Sequence, residues 1–225
     1  MRNIYRIGTF RYAASIVLAF AAFAVASVHG QPNTVQEQFA ARKYDQAAQE
    51  LASIRKADPK LFDLNNFDYL LARIDDVRGD FAAAAAGYSA VAARGSVLTP
   101  YALWHLAAIA RAGGNLPAER LFLSELIAKF PDSLLAEAAR LRLARSFFES
   151  RDYDETIRRL AAIGFPGTTN RQSVRNDARI RENLVLLGKA QLQGGKIADA
   201  RATFQGLIDN LKNPAQPDDF ALAAV

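Results

Sequence analysis

The chain has 225 residues, of which 51% are hydrophobic and 23% are charged, a composition typical of a folded protein. It contains no cysteine, which excludes disulfides, thiol nucleophiles, cysteine-based metal sites and a lipid attached to an N-terminal cysteine. The formal charge is +5, but the basic residues are spread among acidic ones, so the charge does not indicate nucleic-acid binding.

Residues 1–30 have the pattern of a secretory signal peptide. Three arginines precede an apolar run from Ala13 to Ala26, and Ala24-Val25-Ala26 supplies the small residues of a cleavage site. The alternative is an uncleaved anchor, but a run of about 14 to 17 residues is short for a membrane span, which needs roughly 20. We therefore predict export to the periplasm or the medium, with no membrane span after cleavage. The predicted mature chain contains 25 basic and 23 acidic residues.

After the leader, the apolar periodicity predicts helices in consecutive pairs. The predicted pairs are 34–42 with 45–57, 64–78 with 81–93, 99–112 with 121–129, 134–149 with 153–163, and 178–193 with 197–211. A segment rich in Gly, Pro, Thr, Asn and Ser predicts a loop insertion at 164–177. The period-2 alternation of β-strands is missing, so we predict no strands.

A short motif, a glycine or polar residue followed by a bulky residue, recurs at the turn between the two helices of each pair. The bulky residues lie 37, 35, 37 and 44 positions apart, at Tyr44, Phe81, Leu116, Tyr153 and Ile197. Such a period is typical of stacked helical hairpins, and the longest interval contains the loop insertion. The sequence thus predicts an all-α solenoid of about five helical hairpins over residues 31–225, with a further helix or domain beginning at 218–225.

Other positions repeat with the same period. The first helices share a leucine followed by a small residue, and three second helices share an alanine: Leu71-Ala72, Leu106-Ala107, Leu143-Ala144, Leu187-Gly188, Ala47, Ala84 and Ala200. Glu119 and Thr156 replace that alanine in the other two hairpins. On these residues, from about 34 to 212, the chain resembles tetratricopeptide repeat proteins. The resemblance implies a right-handed superhelix of the tetratricopeptide type.

The segment from Lys129 to Ser133, followed by Ala136-Glu137-Ala138, is similar to repeat proteins of the bacterial cell envelope. These include the helical N-terminal region of soluble lytic transglycosylases. This narrower resemblance implies an alternative function, in which the chain is the superhelical N-terminal region of a longer lytic transglycosylase that acts on peptidoglycan. The apolar residues from Phe220 to Val225 keep this alternative open, because they look like the start of another helix.

Three sequence features are candidates for a catalytic or ligand-binding site. Glu149-Ser150 resembles the dipeptide around the catalytic acid of lytic transglycosylases, but it falls at a predicted solvated turn. The glycines at 194–195 lack the spacing of a phosphate loop. His105, the only histidine after the leader, has no second ligand one turn away and is interpreted as a packing or surface residue. We predict no catalytic residue, cofactor or metal, and no enzyme unless a catalytic domain follows residue 225.

The resemblance further implies a groove, lined by the first helix of each hairpin, that grips a protein or peptide. Position by position, it assigns this groove Tyr69, Arg73, Tyr101, Trp104, Arg111, Arg145, Phe148 and Lys189. Aromatic and arginine side chains are enriched at binding hot spots, and a row of cations could hold an acidic peptide. The alternative is that the aromatic residues are core and the charges a solvated surface. The predicted function is an exported, non-catalytic scaffold for protein or peptide partners, including cell-envelope proteins, but not for nucleic acid.

Overall fold

The computed structural model describes residues 31–163 and 177–210, together with Asp219. Within these ranges the chain is helical and contains no strand, which confirms the predicted fold class. The helices are α1 (Gln31–Ala40), α2 (Tyr44–Ala57), α3 (Pro59–Leu64), α4 (Phe67–Arg78), α5 (Phe81–Arg94), α6 (Thr99–Ala112), α7 (Leu116–Lys129), α8 (Ala136–Glu149), α9 (Tyr153–Ile163), α10 (Ala178–Gln193) and α11 (Ile197–Asp209). The predicted leader, the loop insertion apart from Asp177, and the predicted helix start at 218–225 apart from Asp219 lie outside the described residues.

The helices pack in chain order as a stack of hairpins. The hairpins are α1 with α2, α4 with α5, α6 with α7, α8 with α9, and α10 with α11, and from α4 onward each helix also contacts the next one along the chain. A single hairpin leaves one side of its apolar residues uncovered, and stacking buries that side against a neighbour.

The predicted helix from Leu64 to Arg78 was wrong at its beginning. Leu64 is instead the last residue of the short helix α3, and Asn66 has a left-handed backbone (φ 54°) that separates α3 from α4. Local chemistry explains α3, because Pro59 fills its first turn and the Asp58 carboxylate accepts a hydrogen bond from the Leu61 N–H at 2.9 Å.

The motif repeated at the hairpin turns acts through the backbone conformation of its glycines and through its helix-capping residues. Gly79 and Gly114 have positive φ angles of 83° and 73°, a conformation that glycine adopts without steric cost. Asp80 and Asn115 then cap the second helices by accepting hydrogen bonds, each 3.1 Å long, from backbone N–H groups three residues on. The motif therefore ends one helix and starts the next within a few residues.

The core is continuous through α4. One cluster of buried side chains joins α4 to α8, a second joins α1 to α4, and α4 contributes Tyr69 to the first and Ile74 to the second. Small residues let the helices approach closely: a methyl group added to Gly87 of α5 would lie 2.8 Å from the Cβ of Ala72 in α4. This close packing sets the distance between the two helices of the α4–α5 hairpin.

Candidate functional site

Side-chain contacts join the first helices of four neighbouring hairpins. Arg73 of α4 reaches His105 of α6 at 3.4 Å, and Arg142 of α8 lies 4.9 Å above the ring of Trp104 of α6. We call this surface the first-helix face. It comprises Arg73, Asp76, Trp104, His105, Arg111, Arg142, Arg145, Glu149, Glu182 and Lys189.

At the N-terminal end of the face, a carboxylate gathers three polar groups. Asp76 Oδ2 accepts hydrogen bonds from Arg73 Nη1 at 3.0 Å and from the Tyr88 hydroxyl at 3.2 Å, and it lies 3.5 Å from His105 Nδ1. The His105 ring stacks on the Tyr88 ring, with centroids 4.8 Å apart and planes 8° apart. These contacts connect α4, α5 and α6 across a hairpin boundary.

Burial and neighbouring charges shift the pKa values in this cluster. Burial lowers the pKa of His105, with help from the positive charges of Arg73 and Arg142, although Asp76 opposes the shift. Burial opposes ionisation of Asp76, but its contacts with His105, Arg73 and Tyr88 outweigh this effect and lower its pKa. Burial also raises the pKa of Tyr69 to about 12. The cluster thus pairs a neutral imidazole with an ionised carboxylate near neutral pH.

In the middle of the face, Glu119 is a fully buried carboxylate. Its Oε1 accepts a hydrogen bond from Arg142 Nε at 2.7 Å, and its Oε2 lies 3.3 Å from Arg111 Nη1. Arg111 also pairs with Glu149 of α8. Burial lowers the pKa of Arg142, while Glu119 counteracts this and holds its guanidinium over Trp104. Glu119 stands where other repeats have alanine, and this departure positions two arginines of the face.

At the C-terminal end of the face the paired charges are more exposed than at the N-terminal end. Arg145 Nη2 of α8 lies 2.5 Å from Glu182 Oε1 of α10, and their side chains are 34% and 40% exposed. Lys189 of α10 is exposed, and within the described ranges it makes no hydrogen bond or ion pair. It holds the same place in its repeat as Arg145 and Arg73, two residues after the repeated leucine.

The aromatic residues assigned to the groove differ in their surroundings. Tyr69 is buried in the core and offers no surface to a partner, whereas Trp104 is partly buried beneath Arg142. Phe148 packs edge-on against Tyr153 of its own hairpin, with centroids 5.6 Å apart. Tyr101 lines an open hollow of about 440 Å³ between the turn before α6 and the loop before α8. These four residues therefore do not form one exposed aromatic row.

The assigned cations are not a row of free charges either. Arg73, Arg111 and Arg145 are each paired with an acid: Arg73 with Asp76, Arg111 with Glu119 and Glu149, and Arg145 with Glu182. His105, interpreted from the sequence as a packing or surface residue, is largely buried and also part of this network. Of these acids, only Glu119 has a signal in the sequence, because it is a charged residue at the repeat position where three other hairpins have alanine.

Comparison with known proteins supports the repeat assignment. A family model described as tetratricopeptide repeat matches residues 101–133 and 182–213, which contain most of the hairpins α6–α7 and α10–α11. These two segments match the tetratricopeptide repeat. No protein of established function matches the sequence in a comparison with curated proteins.

Several solved structures resemble most of the chain. MamA is 16% identical, with 79% of this chain and 88% of that chain covered and a TM-score of 0.57. YrrB, described as a tetratricopeptide protein with an unusual peptide-binding site, is 13% identical, with coverages of 85% and 88% and a TM-score of 0.59. A putative kinesin light chain from Podosopora anserina is 14% identical, with coverages of 84% and 96% and a TM-score of 0.58. At these identities the likeness shows the fold alone, a tetratricopeptide-type solenoid.

The described residues contain neither a membrane-spanning helix nor a metal-binding cluster. None of their helices has both the length and the apolar character needed to cross a membrane. Nor do they bring together three or more His, Asp or Glu side chains that could hold a metal ion. The absence of a cofactor and of catalytic activity remains a prediction from the sequence.

Proposed function

We propose that the chain is an exported, non-catalytic scaffold that binds an extended segment of a protein partner along the first-helix face. The observation that carries this proposal is the unbroken set of contacts from Arg73 on α4 to Glu182 on α10. These contacts hold aromatic and charged side chains in register across four hairpins, so a partner meets a prearranged surface. The peptide-binding site of YrrB, a protein of the same fold, supports this use of the fold by analogy.

The charges of the face favour a partner segment that carries acidic residues toward its contact with α8 and α10. Lys189 is exposed there without an acidic partner among the described residues, and Arg145 pairs with the partly exposed Glu182. Exposed ion pairs contribute only about 0–1 kcal/mol, so a carboxylate of the partner can replace Glu182 at little cost. Near α6, the apolar surface of Trp104 and Tyr101 favours an apolar side chain in the same segment.

The proposal is tested by selecting peptides from a random displayed library on the full chain and measuring their affinities by calorimetry. Lys189→Ala and Arg145→Ala are each expected to weaken binding about tenfold, or ~1.4 kcal/mol. Arg201→Ala is the matched control, because Arg201 is an exposed cation on α11, the other helix of the hairpin that carries Lys189. Trp104→Ala is a poorer probe, since this side chain packs against the core.

Two results would contradict the proposal. If Arg201→Ala weakened binding as much as Lys189→Ala, the peptides would bind another surface. If no peptide bound better than its scrambled version, the chain would not be a peptide-binding scaffold of this kind.

Export is the second part of the proposal, and it is supported by the three arginines, the apolar run and the cleavage pattern of residues 1–30. N-terminal sequencing of the protein from fractionated cells is expected to find a mature chain that begins at Ser27, after Ala24-Val25-Ala26. Val28-His29-Gly30 is a second, weaker cleavage pattern, and its use would give a chain that begins at Gln31. A chain that retains its first 30 residues in the cytosolic fraction would refute export.

The alternative role within a lytic transglycosylase gains no support from the described residues. A general acid needs a carboxyl group held in an apolar cleft, whereas the Glu149 side chain is 42% exposed and pairs with Arg111. In that alternative the catalytic domain follows residue 225, so a reading frame that continues into such a domain would reverse this preference.

A further inference from the structure

His105 lies between a cation and an anion that compete for the same ring nitrogen. Its Nδ1 is 3.4 Å from Arg73 Nη1 and 3.5 Å from Asp76 Oδ2. An imidazole nitrogen without a proton can only accept, and one with a proton can only donate. Nδ1 can therefore accept from Arg73 or donate to Asp76, but it cannot do both at once.

The charged and titratable groups around the ring come from three neighbouring helices. They are Tyr69, Arg73 and Asp76 on α4, Tyr88 on α5, and Arg142 on α8. The two arginines and the burial of the ring disfavour a positive charge on His105, and Asp76 favours it. The ring is held in place by stacking on Tyr88, so it cannot turn away without losing that contact.

We propose that the protonation state of His105 controls the position of Arg73. The neutral imidazole holds Arg73 against α6, and the protonated imidazole releases it. In the neutral tautomer that carries its proton on Nε2, Nδ1 accepts the Arg73 N–H and joins α4 to α6 across the hairpin boundary. In the protonated state, both ring nitrogens carry protons, so Nδ1–H donates to Asp76 and faces the Arg73 N–H as a second donor of like charge.

Release moves Arg73 toward solvent on the first-helix face. Its side chain is already 29% exposed, so the guanidinium has an open path away from His105. Asp76 Oδ2, until then shared by Arg73 and Tyr88, acquires a charged donor in His105 and holds Arg73 less strongly. Acidification thus adds one positive charge to the N-terminal half of the face and frees a second. This inference does not depend on peptide binding, because it concerns the protein without a partner.

The test is an NMR titration of the full chain, with labelled histidine and arginine, between about pH 8 and pH 5. The imidazole nitrogens report protonation of His105, and the chemical shift of the Arg73 guanidinium protons reports its release. Both signals are expected to change with one midpoint. Arg145 is the internal control, because it pairs with Glu182 on the same face and has no contact with His105.

Two variants sharpen the titration. His105→Gln cannot be protonated and is expected to remove the pH response of Arg73 while leaving Arg145 unchanged. Asp76→Asn removes the anion that favours the imidazolium and is expected to move the His105 midpoint to lower pH. The proposal is overturned if Arg73 responds to pH in His105→Gln, or if Arg73 in the unmodified chain stays fixed while His105 titrates. The second result needs no variant to fold.

Discussion

Arg73 and Arg145 occupy the same place in their repeats, two residues after a buried or partly buried leucine, but their surroundings differ. Arg73 lies over a buried layer of Tyr69, Tyr88 and His105 and shares the carboxylate of Asp76 with two of these groups. Arg145 meets a single exposed carboxylate on the next hairpin. The repeat therefore fixes the position of a side chain, whereas residues one hairpin away determine whether its charge is confined or accessible.

This difference divides the first-helix face into two halves with different energetics. In the α4–α6 half, polar groups are built into the main core cluster, so changing them should alter the stability of the fold. In the α8–α10 half, the pairs lie near solvent, where ion pairs contribute little to stability and weaken with salt. Binding variants are therefore best made in the second half, where the fold tolerates them.

The largest effect is expected from Tyr88→Ala in the first half. Tyr88 has no exposed surface, and truncating a buried aromatic ring costs about 3–5 kcal/mol of unfolding free energy. Tyr88→Phe removes only the hydroxyl that donates to Asp76 and should cost about 1–2 kcal/mol. Urea denaturation measures both, and equal losses would show that the hydroxyl, and not the ring, supports this half.

The two halves should also respond differently to added volume. Gly87→Ala places a methyl group 2.8 Å from the Cβ of Ala72, which cannot move without its backbone, so a cost of about 1–3 kcal/mol is expected. At Gly188 the new methyl group meets the ring of Phe204, which can rotate, so Gly188→Ala should cost less. Thermal unfolding compares the variants, and a larger loss at Gly188 would reverse the expected order.

The pH dependence of stability should come from the first half. The pKa of His105 is lowered in the folded chain, so below its usual value near 6.5 the unfolded chain binds more protons than the folded chain. Stability should then fall as the pH decreases through this window, by at most about 1.4 kcal/mol per pH unit for one group. In urea titrations from pH 7.5 to 5.5, His105→Gln should lose this slope, and an unchanged slope would assign it to another group.

The smallest effect is expected at the exposed pair of the second half. Glu182→Ala should change the free energy of unfolding by no more than about 1 kcal/mol, and 0.5 M salt should reduce the difference further. Because the variant frees Arg145, it should strengthen the binding of acidic peptides selected on the full chain. A loss of several kcal/mol would mean that this pair is as confined as the cluster around Asp76.

Much of the fold could be predicted from the sequence because its signals are local. Glycines with positive φ and capping residues such as Asp80 act within one turn of helix, and the period of the bulky residues predicts the hairpins. The beginning of α4 was missed because the left-handed backbone of Asn66 replaced the glycine that usually marks such a break. Asparagine is among the few residues that adopt this conformation readily.

The site could be predicted only in outline. The repeat pattern assigned Arg73, Arg111 and Arg145 to one face, but it gave no indication that Glu119, Glu149 and Glu182 pair with two of them. Glu182 lies 37 residues from Arg145, and the interval between the repeats here varies with a loop insertion, so side-chain register across the boundary could not be counted from the sequence. Tyr69 was assigned to the exposed face, but the packing of Tyr88 and His105 buries it.

The stack of helical hairpins follows from local sequence patterns, because helix periodicity, caps and turns depend on neighbours a few residues away. Which charges are confined and which remain accessible depends on how the helices pack, because each arginine of the face meets an acid or a ring contributed by another helix. Burial and electrostatic strength depend on distance in space, so a buried carboxylate such as Glu119 could organise Arg111 and Arg142 only once their three helices had packed together.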